Sequence, residues 1–450
     1  MKKTRKLEDK EKKKGTLKGI AILFVVATFV PSLLEPGESL LAIKGGKILT
    51  MAGRVYEDGS LIIKKGKIWK VGKAISIPKG ARIVDAQGKY VMPGIIDSMC
   101  YFGVRPFSLN SSEPVTPENR IVDAYYVFGE LMRGPGGIQA EEELLCGGVT
   151  TVYIAPGSAQ LIGGQGAVLK TFGRDYESLI LRESASIDMT LAYAPLAESG
   201  MPSSNPPSRM SSMALLRKSL LEAQDYLKKI EEYEKMSEDE KKKSQKPSRD
   251  LGKEALASLL ERKIPARIEA DFVDDILAAI RLADEFKLDL VIDSGIGAYK
   301  VREILAKKKI PVVLGPPSHP IDYVSHLNNL IELQQLESER NASLLLDAGV
   351  KISISSQAKD FGGSGKATQG RWLLLEAALA TGFGLSEEEA LKAVTINAAQ
   401  ILGVADRVGS LEPGKDADVV ILDGHPLRVE THVEKVFIDG CLSYEREKEE

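Results

Sequence analysis

The chain has little histidine: four residues in 450, His319, His326, His425 and His432, all beyond residue 318. It has three cysteines, Cys100, Cys146 and Cys441, too few for a disulfide framework and never in a Cys-x-x-Cys spacing. They therefore do not decide the redox compartment. It has no excess of either charge: the net value is −3, which removes any electrostatic case for binding nucleic acid. What is present is ordinary. Apolar residues make up 43% of the chain, with 41 glycines and 21 prolines, the composition of a globular α/β protein and not of a disordered or fibrous one. A length of 450 residues accommodates one domain of roughly 250 residues or more and a smaller second one.

The N-terminus stands apart. Residues 1–18 carry nine lysines and arginines, and Gly19 to Val30 then runs without charge to Pro31. A basic region before an apolar run is the pattern of an export signal. The run is short for a spanning helix, although residues 31–34 extend it. No small-x-small cleavage site follows, so an uncleaved membrane anchor is the alternative, with a buried first helix as a lesser third. Residues 1–36 are accordingly expected to be a signal peptide or anchor, with the protein exported or held on the periplasmic or extracytoplasmic side.

Residues 39–90 read as short strands at 40–43, 47–50, 60–63, 67–71 and 81–84. Gly45-Gly46, Asp58-Gly59, Lys65-Gly66 and Gln87-Gly88 read as the turns between them. From about residue 91 strands alternate with helices. Strand candidates fall at 148–154, 167–170, 266–270, 288–293, 310–314 and 350–355, and 274–286, 301–307 and 371–381 have helical apolar spacing. Such alternation predicts a parallel sheet, and at this length a closed eight-stranded (β/α)8 barrel over 91–404. Residues 204–263 interrupt it with a charged helix at 213–235 and a Lys/Glu-rich tether, expected to be a solvated helical insertion. After a helix at 386–402, capped by Ser386 and Glu389, strands return. Those at 405–446 are expected to join 37–90 in one small flanking β-sandwich built from both chain ends.

Three motifs point to a family. Val91-Met92-Pro93-Gly94-Ile95-Ile96-Asp97-Ser98-Met99-Cys100-Tyr101 resembles the amidohydrolase superfamily signature, in which Pro-Gly-hydrophobic-Ile-Asp precedes Ala-His-x-His. Thr395 to Ala399 resembles that superfamily's Thr-x-Asn-x-Ala element, and Gly409 to Asp418 its Gly-Ser-Leu-Glu-x-Gly-Lys-x-Ala-Asp element. The resemblance spans roughly 39–445 and is nearest to the imidazolonepropionase-like branch, whose members hydrolyse C–N bonds in cyclic amides or dipeptides.

The resemblance implies a metal site at the barrel mouth. It uses two strand-1 histidines, a strand-4 lysine or glutamate, one histidine each from strands 5 and 6, and a strand-8 aspartate that also takes a proton from the attacking water. Carried over by position, strand 1 has Met99 and Tyr101, neither a good ligand for a divalent ion. Lys170 is taken as the strand-4 residue, Glu269 as strand 5, Ser294 as strand 6 and Gln357 as strand 8. None of the four histidines falls at these positions. Zinc in such a site lowers the pKa of bound water from about 15.7 to about 7, on the order of 12 kcal/mol of hydroxide stabilisation. Glutamine at 357 accepts no proton, so the general base is absent as well.

Other elements of the family site persist. The glycine-rich run 157–166 leads into Lys170; in relatives it lies at the barrel mouth, and here it reads either as a tight turn or as a ligand contact. Gly163, Gly164, Gln165, Lys170 and Asp271 are the candidate ligand-binding residues, with Lys170 expected to pair with Glu269 and Asp271 inside the barrel. Three functions stand. One is a non-catalytic relative that binds a small molecule or a partner, either as a homo-oligomer or beside an active paralogue, with no cofactor. The second is an active C–N hydrolase with a non-standard site, in which Cys100, Lys170, Glu269, Asp271 and Asp293 hold one divalent metal such as zinc. The third is a metal-free acid–base enzyme using Glu269 and Asp271.

Overall fold

A computed structural model describes residues 40–100, 102–104, 113–125, 140–157, 160–173, 175–191, 206, 208–316, 338–356 and 370–447. The N-terminal segment read as a signal or anchor lies outside them, as do Tyr101, Gln357, His319 and His326.

The flanking sheet is built from β1 (Leu40–Leu49), β2 (Val55–Lys64), β3 (Lys67–Lys73), β4 (Arg82–Asp85) and β5 (Tyr90–Pro93). The other end of the chain adds β14 (Val419–Leu422), β15 (Val433–Ile438) and β16 (Cys441–Glu445). The strand order is β16-β15-β14-β5-β1-β2-β3, with β4 on β1. β14 joins the two chain ends by running antiparallel to β5, with Val419 opposite Pro93, and an isolated bridge pairs Lys67 with Asp416. Ile43, Leu61, Ile63, Ile68, Val91, Val419 and Phe437 close a common apolar core.

Two of the expected turns are bulges inside strands. Gly45-Gly46 lies within β1 and Asp58-Gly59 within β2, where the ladder shifts register. Gly45 has φ +83°, and the extra residue turns β1 so that its first half pairs with β4 and its second with β5. Lys65-Gly66 is a true two-residue hairpin turn, with φ +53° and +72°.

The second sheet is the expected eight-stranded barrel. It runs in chain order through β6 (Ile95–Cys100), β7 (Val149–Ile154), β8 (Ile162–Lys170), β9 (Ile180–Thr190), β10 (Ala266–Ala270), β11 (Leu290–Ser294), β12 (Val312–Leu314) and β13 (Ile352–Ile354). Ser98 and Ser353 hydroxyls meet at 2.8 Å across the seam between β6 and β13. Helices Val273–Phe286 and Arg302–Lys308 make the crossovers around β11.

The barrel is not wholly parallel, contrary to expectation: β8 runs antiparallel to both β7 and β9. The connections explain it. The described residues of 155–161 hold no helix and those of 171–179 only the one-turn Tyr176–Leu179, and both connections are too short for a parallel crossover. β9 was not apparent from the sequence, because its inward residues include Ser186 and Asp188 and no apolar run marks it.

The insertion is helical. Arg209–Glu234 starts at a Ser208 capping box, and Leu251–Leu260 at Asp250, whose side chain accepts from the Lys253 amide. The pair shares Leu216, Leu220, Ala223, Leu256 and Leu259 with the barrel's outer core. The single helix expected over 386–402 is two, Glu387–Ala393 and Ile396–Ile401, broken where Thr395 adopts φ −138°, ψ −101°. The expected Ser386/Glu389 capping box is present.

Candidate functional site

Counting strands from β6 changes one assignment. β9 is the fourth strand and β8 the third, so Lys170 is not a strand-4 residue. Because β8 runs against its neighbours, Lys170 pairs with Thr151 near the start of β7, at the end of the barrel away from the parallel strands' C-terminal ends. The expected pairing with Glu269 and Asp271 does not form. Its ammonium lies 2.9 Å from Asp416, 3.0 Å from Asp418 and 2.7 Å from Asp439, all beside the flanking sheet. Burial opposes the charge, but the three carboxylates hold the Lys170 pKa above its usual range. This lysine is a clasp between barrel and sheet.

Inside the barrel a different cation is central. Arg267 of β10 is 2% exposed. Its Nε donates to Asp293 Oδ2 of β11 at 2.9 Å and its Nη2 to Asp293 Oδ1 at 2.5 Å. Nη2 also donates to the Ser98 carbonyl of β6 at 3.0 Å. The guanidinium carbon sits 3.8 Å from the ring centroid of Tyr153 of β7. Contacts from strand 5 to strands 1 and 2 can only cross the interior. A buried guanidinium survives when it is paired and hydrogen-bonded, and this one has a two-pronged carboxylate, a carbonyl and an aromatic face. Asp293 and Tyr153 outweigh burial and push the Arg267 pKa up.

A second set of groups continues the network. The Tyr153 hydroxyl donates to Asp188 Oδ1 of β9 at 2.7 Å and meets the Ser186 hydroxyl at 2.5 Å. Burial lifts the Asp188 carboxyl to about 7, Arg267 working against the rise and Asp293 with it. Midway along β6, Asp97 accepts from the Ser356 amide at 3.0 Å and from its hydroxyl, which ties strand 1 to the residues just after strand 8. Burial raises Asp97 to about 6.

The remaining predicted positions are dispersed. Met99 is buried in an apolar cluster with Ile96, Tyr153 and Val313. Cys100 is buried, and burial pushes its thiol well above the ordinary value, away from the thiolate a metal needs. Glu269 is 8% exposed and its carbonyl accepts from Leu191. The Asp271 carbonyl accepts from Gly297 at 2.8 Å. Ser294 has φ +68°, where β11 turns out of its ladder. Gly163, Gly164 and Gln165 lie on β8 under the segment 113–125. The Gln165 amide donates to Asn119 O at 2.7 Å and its side chain to Pro117 O at 3.2 Å. Gly164 has φ +128°, and a Cβ there would come within 2.4 Å of Asn119 O, so only glycine fits.

Among the described residues, no three His, Cys, Asp or Glu side chains gather as a metal site. At the family's ligand positions Met99 offers a thioether, Ser294 a hydroxyl and Glu269 a single carboxylate, while the neighbouring Asp293 is already engaged by Arg267. This donor set does not fit the divalent centre that the resemblance implies. Sequence reading missed Arg267, Tyr153 and Asp188 as a group. One signal was available: Arg267 and Asp293 each interrupt an apolar strand, and a charge there requires a partner.

The sequence model of the amidohydrolase family matches residues 142–443. The amidohydrolase tasK of Hapsidospora irregularis is 25% identical over 413 residues, 86% of this chain and 40% of that protein. An imidazolonepropionase from Thermoplasma volcanium is 24% identical over 446 residues, 90% of this chain and 98% of that one. The crystal structure of an amidohydrolase from Thermotoga maritima MSB8 superposes with a TM-score of 0.79 at 34% identity, covering 90% of this chain and 100% of that one. A prolidase complexed with N-methylphosphonate-L-proline gives a TM-score of 0.57 at 16% identity, covering 91% and 100%, a likeness of fold alone.

Proposed function

The chain belongs to the amidohydrolase family, and from that premise we propose that it is a non-catalytic member, one that binds a small ligand or a partner subunit without hydrolysing it. The observation that carries this reading is the Arg267–Asp293 pair stacked on Tyr153 inside the barrel. A fixed guanidinium in that interior repels an incoming dication, and the carboxylate beside it, Asp293, is already neutralised. The composition of the family's ligand positions agrees: Met99, Tyr101, Ser294 and Gln357 supply neither imidazole nor carboxylate, and Glu269 alone supplies a carboxylate. Without an activated water and without a carboxylate at 357, C–N hydrolysis has neither nucleophile nor base.

The active-hydrolase alternative draws on Cys100, Lys170, Glu269, Asp271 and Asp293. Three of these are engaged elsewhere: Lys170 in the clasp, Asp293 on Arg267, and Cys100 as a buried thiol. For the non-catalytic reading, a homo-oligomer or a complex with a histidine-complete paralogue is the natural setting, and export or anchoring through residues 1–36 the natural location.

The test is elemental analysis of the full chain after dialysis, with assays on dipeptides and cyclic amides in added zinc, manganese or iron. The expected result is substoichiometric metal and no turnover. Stoichiometric metal that resists dialysis, together with hydrolysis, contradicts the proposal. Affinity purification at native expression tests the partner, and recovery of a histidine-complete paralogue is the expected result.

A further inference from the structure

The charge of the chain is unevenly placed. Residues 40–90 carry eleven lysines and arginines against three carboxylates, while the whole chain is at −3. The excess is densest over residues 64–73, with five lysines and no acid. Among the described residues, Lys47, Lys67 and Lys89 have carboxylate partners, in Glu57, Asp416 and Glu434. Lys44, Lys64, Lys65, Lys70 and Lys73 are exposed, and none of them is in an ion pair with a described residue.

Strand alternation gathers three of these on one face. Ile43, Leu61, Ile63 and Ile68 line the core of the flanking sheet. Their neighbours Lys44 on β1 and Lys64 on β2 therefore point to the opposite face, and a register shift in the β2–β3 ladder, which pairs Lys70 with Ile62, puts Lys70 there as well. Trp69 joins them, 42% exposed, with the Lys64 ammonium 5.1 Å and the Lys70 ammonium 4.7 Å from its ring centroid. Like charges held together on an exposed strand pair weaken the fold: Lys64 stands opposite Lys67 in the β2–β3 ladder. Lysines also protect an edge strand from pairing, but edge protection does not require an exposed tryptophan between them.

The register adds a second observation. Leu40, where β1 begins, pairs with Lys64. The chain thus enters the sheet beside this patch, directly after the sequence of residues 1–36, whose nine N-terminal cations precede an uncharged apolar run. We infer that the exposed patch at the β2–β3 end of this face, centred on Lys64, Trp69 and Lys70, seats on an anionic lipid surface. The lysines contact phosphate headgroups, and the indole lies at the interface between headgroups and acyl chains. This inference is independent of the reading of the barrel interior.

Trp69 and Trp372 are the two tryptophans of the chain. In full-length protein carrying Trp372→Phe, Trp69 alone reports. Vesicles of phosphatidylcholine with phosphatidylglycerol, brominated on the acyl chains, should quench its emission and shift it to the blue. Pure phosphatidylcholine vesicles should do much less, and raised salt should reverse the effect. Lys64→Gln with Lys70→Gln should weaken partitioning to the anionic vesicles roughly thirtyfold. Both side chains are exposed, so far-ultraviolet circular dichroism should be unchanged. Emission of Trp69 that ignores the anionic vesicles overturns the inference even if residues 1–36 hold the chain on them. So does equal partitioning of the double variant, or a response to a short single-stranded oligonucleotide and not to lipid.

Discussion

Arg267 sits where a charge is tolerated only with company. Its guanidinium is bound by Asp293, by the Ser98 carbonyl and by the Tyr153 face, each from a different strand of one barrel. Removing the cation should therefore leave a buried carboxylate without a partner. Arg267→Met is expected to cost about 3–5 kcal/mol, and Arg267→Met with Asp293→Leu to recover most of that. Urea unfolding of the two variants reads the difference. A single variant within about 1 kcal/mol of the parent would remove the pair from the account. Asp188 gives a pH signature. Its folded carboxyl titrates at about 7, above the ordinary 3.8, chiefly through burial. The folded state thus keeps a proton that the unfolded chain releases. The resulting stability is present below the ordinary carboxylate range and is lost as pH rises through about 7. Between about pH 5 and about pH 8 the parent should lose more stability than Asp188→Asn, measured by thermal melts of both. Equal losses would contradict the assignment.

At the scale of elements, the direction of β8 decides what Lys170 does. In a parallel third strand, the C-terminal residue would have lain at the mouth; reversed, it reaches Asp416, Asp418 and Asp439 at the other end. Lys170→Met should leave three carboxylates facing one another, one of them, Asp418, already lifted to about 6 by burial. Faster amide exchange in β14 and at 438–441 is expected, with an overall loss of about 3–5 kcal/mol. Unchanged exchange there would argue against a clasp. Most elements were legible in the sequence, because apolar strands at 148–154, 266–270 and 288–293 and the amphipathic helix at 274–286 carry their own periodicity. β9 was not legible, since a strand facing a polar interior shows no apolar run. The resemblance places Lys170 on strand 4, one strand beyond its position at the end of β8. The reversal of β8 depends on two short connections, and neither has a sequence signal as strong as a crossover helix. The Gly45 bulge looked like a turn because glycine with positive φ serves both.

For the molecule as a whole, the two ends of the chain pair in one sheet through β5 and β14, which holds the barrel between them. That architecture could be read from three motifs. The interior could not, because its members stand at 98, 153, 188, 267, 293 and 353 and meet only when the barrel closes. Family membership therefore settles the scaffold and leaves the chemistry to those side chains. The most direct measurement is anomalous X-ray scattering from crystals of the full chain grown with zinc or manganese. The account predicts the Arg267 guanidinium against Asp293 and no anomalous peak within the barrel. A peak at the C-terminal strand ends, bonded to protein side chains, with Arg267 displaced from Asp293, would contradict it.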